Sequence, residues 1–199
     1  MRPTLRLGLA ALGVLSLTQV AGAQALGPQR QFLAVEPYYE HTSLDVGGTT
    51  SKDQLNGFGA RLWINLDPFH FITNSSIALY GSHAPSQSGR AVSMTTFGAE
   101  YDQFFVRRPI GGLIDPFVSL GGGGISVRGE RSSSFGRIGS SHTYGSLTPG
   151  GGLRLAIPNR FELRGDVKDL IIFNTPTGTL GSKRSSNNLQ FQAGLGITF

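Results

Sequence analysis

His41 and Ser43 are the two side chains of this sequence whose types and spacing best suit hydrolytic chemistry. A His-x-Ser pair on an extended segment places both side chains on one face, where the imidazole could act as a base toward the hydroxyl. A third, acidic group would have to orient the imidazole. Glu40 points to the opposite face and Asp53 lies in a predicted loop, so neither is suitable. Because such a pair is common by chance, we favour ordinary surface residues over a catalytic site.

Other residue types that carry chemistry are scarce. The chain has no cysteine, which excludes disulfides, thiolate metal sites and a cysteine nucleophile. The glycine runs at 121–124 and 150–152 lack the Lys-Ser/Thr that completes a phosphate-binding loop, and no helix pattern follows them. We therefore predict no catalytic residue, no metal site and no cofactor.

Charged residues recur at alternate positions of several extended segments. This spacing places them on one face of a strand and apolar residues on the other. Acids and bases are nearly matched in number and stand among small glycines, which suits a narrow interior where charges pair. The ten residues of this predicted network are Glu36, Glu40, Arg61, Glu100, Asp102, Arg154, Glu162, Arg164, Asp166 and Lys168.

Residues 1–25 have the layout of a secretory signal peptide. Two arginines precede an apolar stretch over 7–20, and small residues at Ala23 and Ala25 offer two cleavage sites. Cleavage after Ala25 leaves a mature domain at 26–199. It removes two of 17 basic residues and none of the 12 acidic ones, so the formal net charge falls from +5 to +3. That excess is too small to indicate a nucleic-acid partner.

The mature sequence alternates between apolar and polar residues with the period of a β-strand. Glycine accounts for 29 of 199 residues and charged residues for 15%, which argues against a helical bundle. Alternation fails at 121–124, where we predict a bulge or a bend, and at 170–173, where we predict a bulge or the rim of the sheet. Eight strands are predicted, at about 31–43, 57–66, 71–82, 92–105, 116–127, 147–157, 161–173 and 189–199.

The predicted connections are of two kinds, which alternate along the chain. Successive hairpins therefore place short turns and both termini at one end of the sheet, and long loops at the other. Short or moderate turns are predicted at 67–70, 108–112 and 157–160, and long polar loops at 45–53, 83–91, 128–143 and 174–188.

Strands of about 9 to 11 residues cross a bilayer, and lipid requires that the sheet close so that no backbone edge stays unpaired. Aromatic residues collect near both predicted strand ends, and the chain finishes on Phe199 after an alternating segment. With the signal peptide and loop pattern, these features resemble the small outer-membrane barrels of the OmpA/OmpX-like class. The resemblance implies an all-β fold, an eight-stranded antiparallel up-and-down transmembrane β-barrel. It also implies that Phe199 is part of the signal read by the barrel-assembly machinery.

We therefore expect a monomeric protein of the bacterial outer membrane, with periplasmic termini, external loops and a lumen plugged by the charged network. The expected role is structural or in surface interaction, and the expected partners are outer-membrane lipid and lipopolysaccharide. Candidate contacts to anionic lipid are the basic loop residues Arg128, Arg131, Arg137, Lys183 and Arg184.

Three alternatives stay open. The first is a narrow porin or hydrophobic-ligand channel, and the second is a lipid A-modifying enzyme of the deacylase type that would use His41 and Ser43. The third is a secreted, soluble lipocalin-like barrel, whose apolar face would point inward. The direction of the two faces decides between membrane and soluble barrels: Leu153, Leu163 and Phe191 should face lipid, and Arg164 should face the lumen.

Overall fold

The protein is a closed barrel of eight antiparallel strands in which each strand pairs with the next and β1 pairs with β8. The computed structural model describes residues 32–44, 53–66, 73–86, 92–107, 109–129, 141–157, 160–177 and 182–199. The predicted fold class is thus confirmed. The strands are β1 (Leu33–Leu44), β2 (Asp53–Asn65), β3 (Ser75–Ala84), β4 (Val92–Phe104), β5 (Ile114–Gly129), β6 (Ser141–Ile157), β7 (Phe161–Thr177) and β8 (Ser182–Thr198).

Within these described ranges, no helix is both long enough and apolar enough to cross a membrane.

The last four strands are longer than predicted, at 16 or 17 residues each. Strands β7 and β8 take up most of the predicted loop at 174–188, and β6 begins inside the predicted loop at 128–143. These segments are rich in Ser, Asn and Thr, which is typical of loops, so the sequence predicts a loop there. A pair of strands with a polar sequence can still form a ladder, although it lacks the apolar alternation that would reveal it. The predicted contrast between short turns and long loops is not observed, because the connections at 66–74 and 105–113 are at least as long as those at 45–52 and 85–91.

The two ends of the barrel differ in the connections that they contain. The terminal end carries the start of β1, the end of β8 and the connections at 66–74, 105–113 and 158–160. The loop end carries the connections at 45–52, 85–91, 130–140 and 178–181.

The apolar face of the sheet points outward and the charged face points into the lumen. Leu153, Leu163 and Phe191 are 52%, 43% and 45% exposed, whereas Arg164 is 4% exposed. A soluble barrel would show the opposite arrangement. The orientation is the one that a barrel surrounded by lipid requires.

The bulge predicted at 121–124 is absent, and that prediction was wrong. Strand β5 keeps a continuous register with β4 from Phe117 to Gly129. Leu120 faces outward, whereas Ile125 and Val127 face inward and are fully buried. Alternation fails in the sequence because the lumen itself becomes apolar toward the loop end. In β7, a register shift between Ile172 and Thr175 lies next to the predicted irregularity at 170–173.

Nine inward-facing apolar residues pack together in the lumen near the loop end. They form one packed cluster and none is more than 1% exposed. Strands β1 to β5 and β7 all contribute to it. This loop-end cluster consists of Leu44, Leu55, Ala84, Val92, Met94, Ile125, Val127, Leu170 and Ile172.

Candidate functional site

Arg164 of β7 lies at the centre of the charged lumen. Its guanidinium donates to Glu100 at 2.9 Å, Asp102 at 2.5 Å and Asp166 at 2.9 Å. Glu100 and Asp102 belong to β4, on the opposite wall of the barrel. All three carboxylates come from the predicted network, but only the closed fold reveals which base each one meets.

Arg61 of β2 forms the second centre of the network. It lies 3.3 Å from Glu36 and 3.1 Å from Asp166, and it donates to Gln192. Its guanidinium also stacks on the ring of Tyr38, 4.3 Å from the centroid. These contacts join β1 and β2 to β7 and β8, across the junction where the barrel closes.

Lys168 and Glu40 continue the network toward the loop end. Lys168 pairs with Glu100 and lies 3.6 Å from Asp166. Glu40 accepts hydrogen bonds from neutral donors, Ser82 at 2.8 Å and Gln190 at 3.1 Å. The polar lumen therefore contains hydroxyl and amide groups that the predicted network, chosen by charge alone, left out.

Arg154 forms a smaller cluster near the terminal end. It donates to Asp115 at 2.7 Å, lies 3.5 Å from Glu162 and stacks on Phe104 at 4.3 Å. Asp115 is not part of the predicted network, because the predicted strand begins at residue 116. Its fixed parity with Phe117, two residues later on the inward face, is the signal that would have identified it.

Aromatic rings fill the space between the charged groups. Arg164 lies over Trp63 at 4.2 Å and over Phe117 at 3.9 Å, so two rings cover its guanidinium as cation–π partners. The indole Nε1 of Trp63 donates to Glu36 at 2.9 Å. The lumen thus encloses its charges between rings and paired ions.

Acids exceed bases in the lumen. Among the described inward-facing side chains, seven are acidic and four basic, because Asp115 joins the six acids of the predicted network. The near match expected from sequence does not hold. Neutral donors such as those around Glu40 compensate in part, since a buried carboxylate needs hydrogen bonds as well as counter-charge.

The His41–Ser43 pair does not form a catalytic arrangement. Both residues face outward on β1, but His41 Nδ1 contacts Asn56 Oδ1 at 2.7 Å and Ser43 Oγ accepts from Gln54 at 3.0 Å. Tyr39 donates to the same Asn56 oxygen at 2.6 Å. An amide orients the imidazole here in place of the expected acid, and the hydroxyl of Ser43 contacts Gln54 and not His41, so the base and the nucleophile are not paired.

The remaining predicted residues lie at the two ends of the barrel. Arg128 is exposed near the loop end of β5. Lys183 and Arg184 belong to β8, but their side chains are outside the described part of the chain. Arg131, Arg137 and the predicted signal peptide at 1–25 lie wholly outside it. Phe199 is 58% exposed, and its N–H donates to Leu33 at 2.8 Å across the closing pair of strands.

Comparison with known proteins matches residues 7–199 to a family described as the outer membrane protein beta-barrel domain. The chain belongs to this family. It is therefore an integral β-barrel protein of the bacterial outer membrane, and the soluble lipocalin-like alternative is set aside. Among curated proteins, no sequence match is found.

Solved structures of small outer-membrane barrels share the fold. Neisserial surface protein A has a TM-score of 0.57 at 15% identity, with 84% of this chain and 97% of that chain covered. The Yersinia pestis attachment invasion locus protein Ail has a TM-score of 0.53 at 14% identity, with coverages of 86% and 100%. The N-terminal barrel domain of Pseudomonas aeruginosa OprF has a TM-score of 0.54 at 12% identity, with coverages of 86% and 100%.

Proposed function

We propose that this outer-membrane barrel is non-conducting and that its role is structural or in surface interaction. The observation that carries the proposal is the packing of the lumen. The Arg61 and Arg164 ion-pair network occupies the middle of the barrel, and the loop-end cluster covers it on one side. An eight-stranded barrel leaves only enough room for side chains to fill it, so these two layers favour a closed barrel over a porin or ligand channel.

Single-channel recording of the refolded protein in planar bilayers tests this proposal. We expect no sustained conductance from the wild type. A variant with Met94, Ile125 and Leu170 all changed to glycine opens the loop-end cluster and serves as the matched comparison, in which brief openings are expected. Sustained wild-type conductance steps would contradict the proposal.

We further propose that the termini face the periplasm and the loop end faces the cell exterior. Strands β5 to β8 extend at the loop end to 16 or 17 residues each, and outer-membrane barrels have their longer segments on the extracellular side, which supports this orientation. An epitope inserted at 132–136 should bind antibody on intact cells, whereas one inserted at residue 30 should require permeabilised cells. The reverse pattern would overturn the orientation.

The surface role that we propose is contact between the basic residues of the loop end and phosphate groups of lipopolysaccharide. Support comes from exposed Arg128 and from the basic pair Lys183 and Arg184 on β8. Ail, a barrel of the same fold, has been crystallised with the heparin analogue sucrose octasulfate, which is a polyanion. Charge-assisted hydrogen bonds from arginine suit such groups.

Binding of nanodisc-embedded protein to immobilised lipopolysaccharide tests this contact. We expect binding that weakens as salt increases, because surface charges are screened within about 8 Å at physiological ionic strength. Changing Arg128, Lys183 and Arg184 to glutamine should lower it strongly. Arg107→Gln, an exposed arginine at the terminal end, is the control. Equal binding by the triple variant and the wild type would refute the assignment.

A further inference from the structure

A groove of about 940 Å³ lies over β6, β7, β8, β1 and β2, and most of the residues that line it belong to the outward face. Its floor contains the small residues Gly165 and Ala193, which pair across β7 and β8. Leu153 pairs with Gly165 and forms the wall on the β6 side, and Tyr39 and Phe58 form the wall on the β1 and β2 side. Leu163 and Leu195 border the floor toward the terminal end. A Cβ atom added to Gly165 would meet no atom within 4 Å, so the floor is open to the surroundings.

The groove crosses the junction of β1 and β8 where their pairing is interrupted. The ladder has one constant register, but the pairs of Glu36 and Pro37 with β8 are missing from it. Both pairs require an N–H at position 37 that donates to the Leu195 carbonyl, and proline has none. Pro37 and Leu195 both line the groove. The surface is therefore recessed at a point where the sheet is held by fewer hydrogen bonds.

A polar group lies beside the loop-end margin of the groove. Tyr39, a wall residue, and His41 both contact the Asn56 Oδ1 atom, at 2.6 and 2.7 Å. With Nδ1 engaged in this way, the Nε2 atom of His41 and the Asn56 amide nitrogen are the groups available to a polar ligand. Apolar walls below a polar margin match the two parts of an amphiphile.

We propose that this groove binds one acyl chain of a lipid A molecule, with the polar part of the lipid beside Tyr39, His41 and Asn56. The groove is continuous with the lipid-facing surface of the barrel, so the surrounding membrane supplies its occupant. A chain between two walls touches protein on three sides, and the added dispersion contacts hold it longer than a chain on the convex surface elsewhere. The choice of lipid A rests on the proposed orientation, which puts the loop end in the outer leaflet.

Native mass spectrometry of the full mature protein provides the test. The refolded protein is equilibrated with an equal mixture of lipid A and phosphatidylethanolamine and then washed with lipid-free detergent. We expect one retained lipid A per wild-type barrel. Gly165→Leu and Ala193→Leu fill the floor and should each lower the retained fraction by about tenfold. Ala99→Leu adds the same volume as Ala193→Leu, but on the outward face of β4, away from the groove, and should retain lipid like the wild type.

Several results would overturn the proposal. The groove is not a lipid site if the wild type retains no lipid or if Gly165→Leu retains as much as Ala99→Leu. A dimer that dissociates on Gly165→Leu substitution would make the groove an interface between copies. Retention of phosphatidylethanolamine in place of lipid A would refute the leaflet assignment, and the epitope experiment would then show whether the orientation or the groove assignment is at fault.

Discussion

Replacing Arg164 with leucine should destabilise the barrel more than any other single change of a lumen charge. The guanidinium has three carboxylate partners and two aromatic neighbours, and its side chain is 2% exposed. Removing one partner of a buried ion pair typically costs about 3 to 5 kcal/mol, because the other charge stays buried without compensation. We expect a loss of that size in the free energy of unfolding.

The structure indicates which carboxylate is responsible for most of the loss. Glu100 keeps its pair with Lys168, and Asp166 keeps Arg61. Among the described residues, Asp102 pairs with no second base, and its Oδ1 atom already has no hydrogen-bond partner. Adding Asp102→Asn to Arg164→Leu removes the stranded charge and should recover about 1 to 3 kcal/mol.

Urea unfolding of the refolded barrel in detergent measures these effects, with far-ultraviolet circular dichroism and the gel mobility of unboiled samples as readouts. Fluorescence of the single tryptophan is unsuitable, because Trp63 is itself in contact with Arg164. Arg107→Leu, at an exposed site, should change the stability by less than about 0.5 kcal/mol. If Arg164→Leu leaves the urea midpoint unchanged, or if the double variant is less stable than the single one, our account of the lumen is wrong.

Three further predictions concern packing, assembly and catalysis. Gly59→Ala should cost about 1 to 3 kcal/mol, because its new Cβ would lie 2.6 Å from the backbone carbonyl oxygen of Gly81 and 2.6 Å from the hydroxyl oxygen of Tyr38. Gly165→Ala, in open space, should cost little in a parallel urea titration. Deleting Phe199 should lower the amount of barrel recovered from outer membranes far more than deleting residues 132–136, and equal yields would argue against an assembly role for this residue. His41→Ala should leave the mass spectrum of cellular lipid A identical to that of cells expressing the wild type, and a deacylated species present only with the wild type would revive the enzyme hypothesis.

Strand number and facing could be predicted from the sequence because both follow from period-two alternation. Strand β8 shows this best, since Leu189 and Phe191 alternate with Gln190 and Gln192 and the structure places the two pairs on opposite faces. The prediction failed where one face changes character along a strand. In β5, Val127 is buried in the lumen although the same face carries Asp115 at the other end.

The partners of each charge could not be predicted, because they depend on the tilt and register of the closed barrel. Arg61 meets Asp166, which is 105 positions away, and no local pattern encodes that distance. Arg154 of β6 and Arg164 of β7 are paired with each other in the register, yet they join different clusters. Alternation determines which residues face the lumen, whereas the three-dimensional packing determines which charges pair.

The contacts that tie the first two strands to the last two have a kinetic consequence. Glu40 and Gln190 are 150 positions apart, and Arg61 and Gln192 are 131 apart, so these contacts have very high contact order. They cannot form until β8 reaches β1, which makes them absent from any earlier transition state. Interactions of that kind slow unfolding and leave the folding rate nearly unchanged. The bonds across the closing junction of β1 and β8 therefore slow the opening of the finished barrel, giving it a long lifetime without hastening its formation.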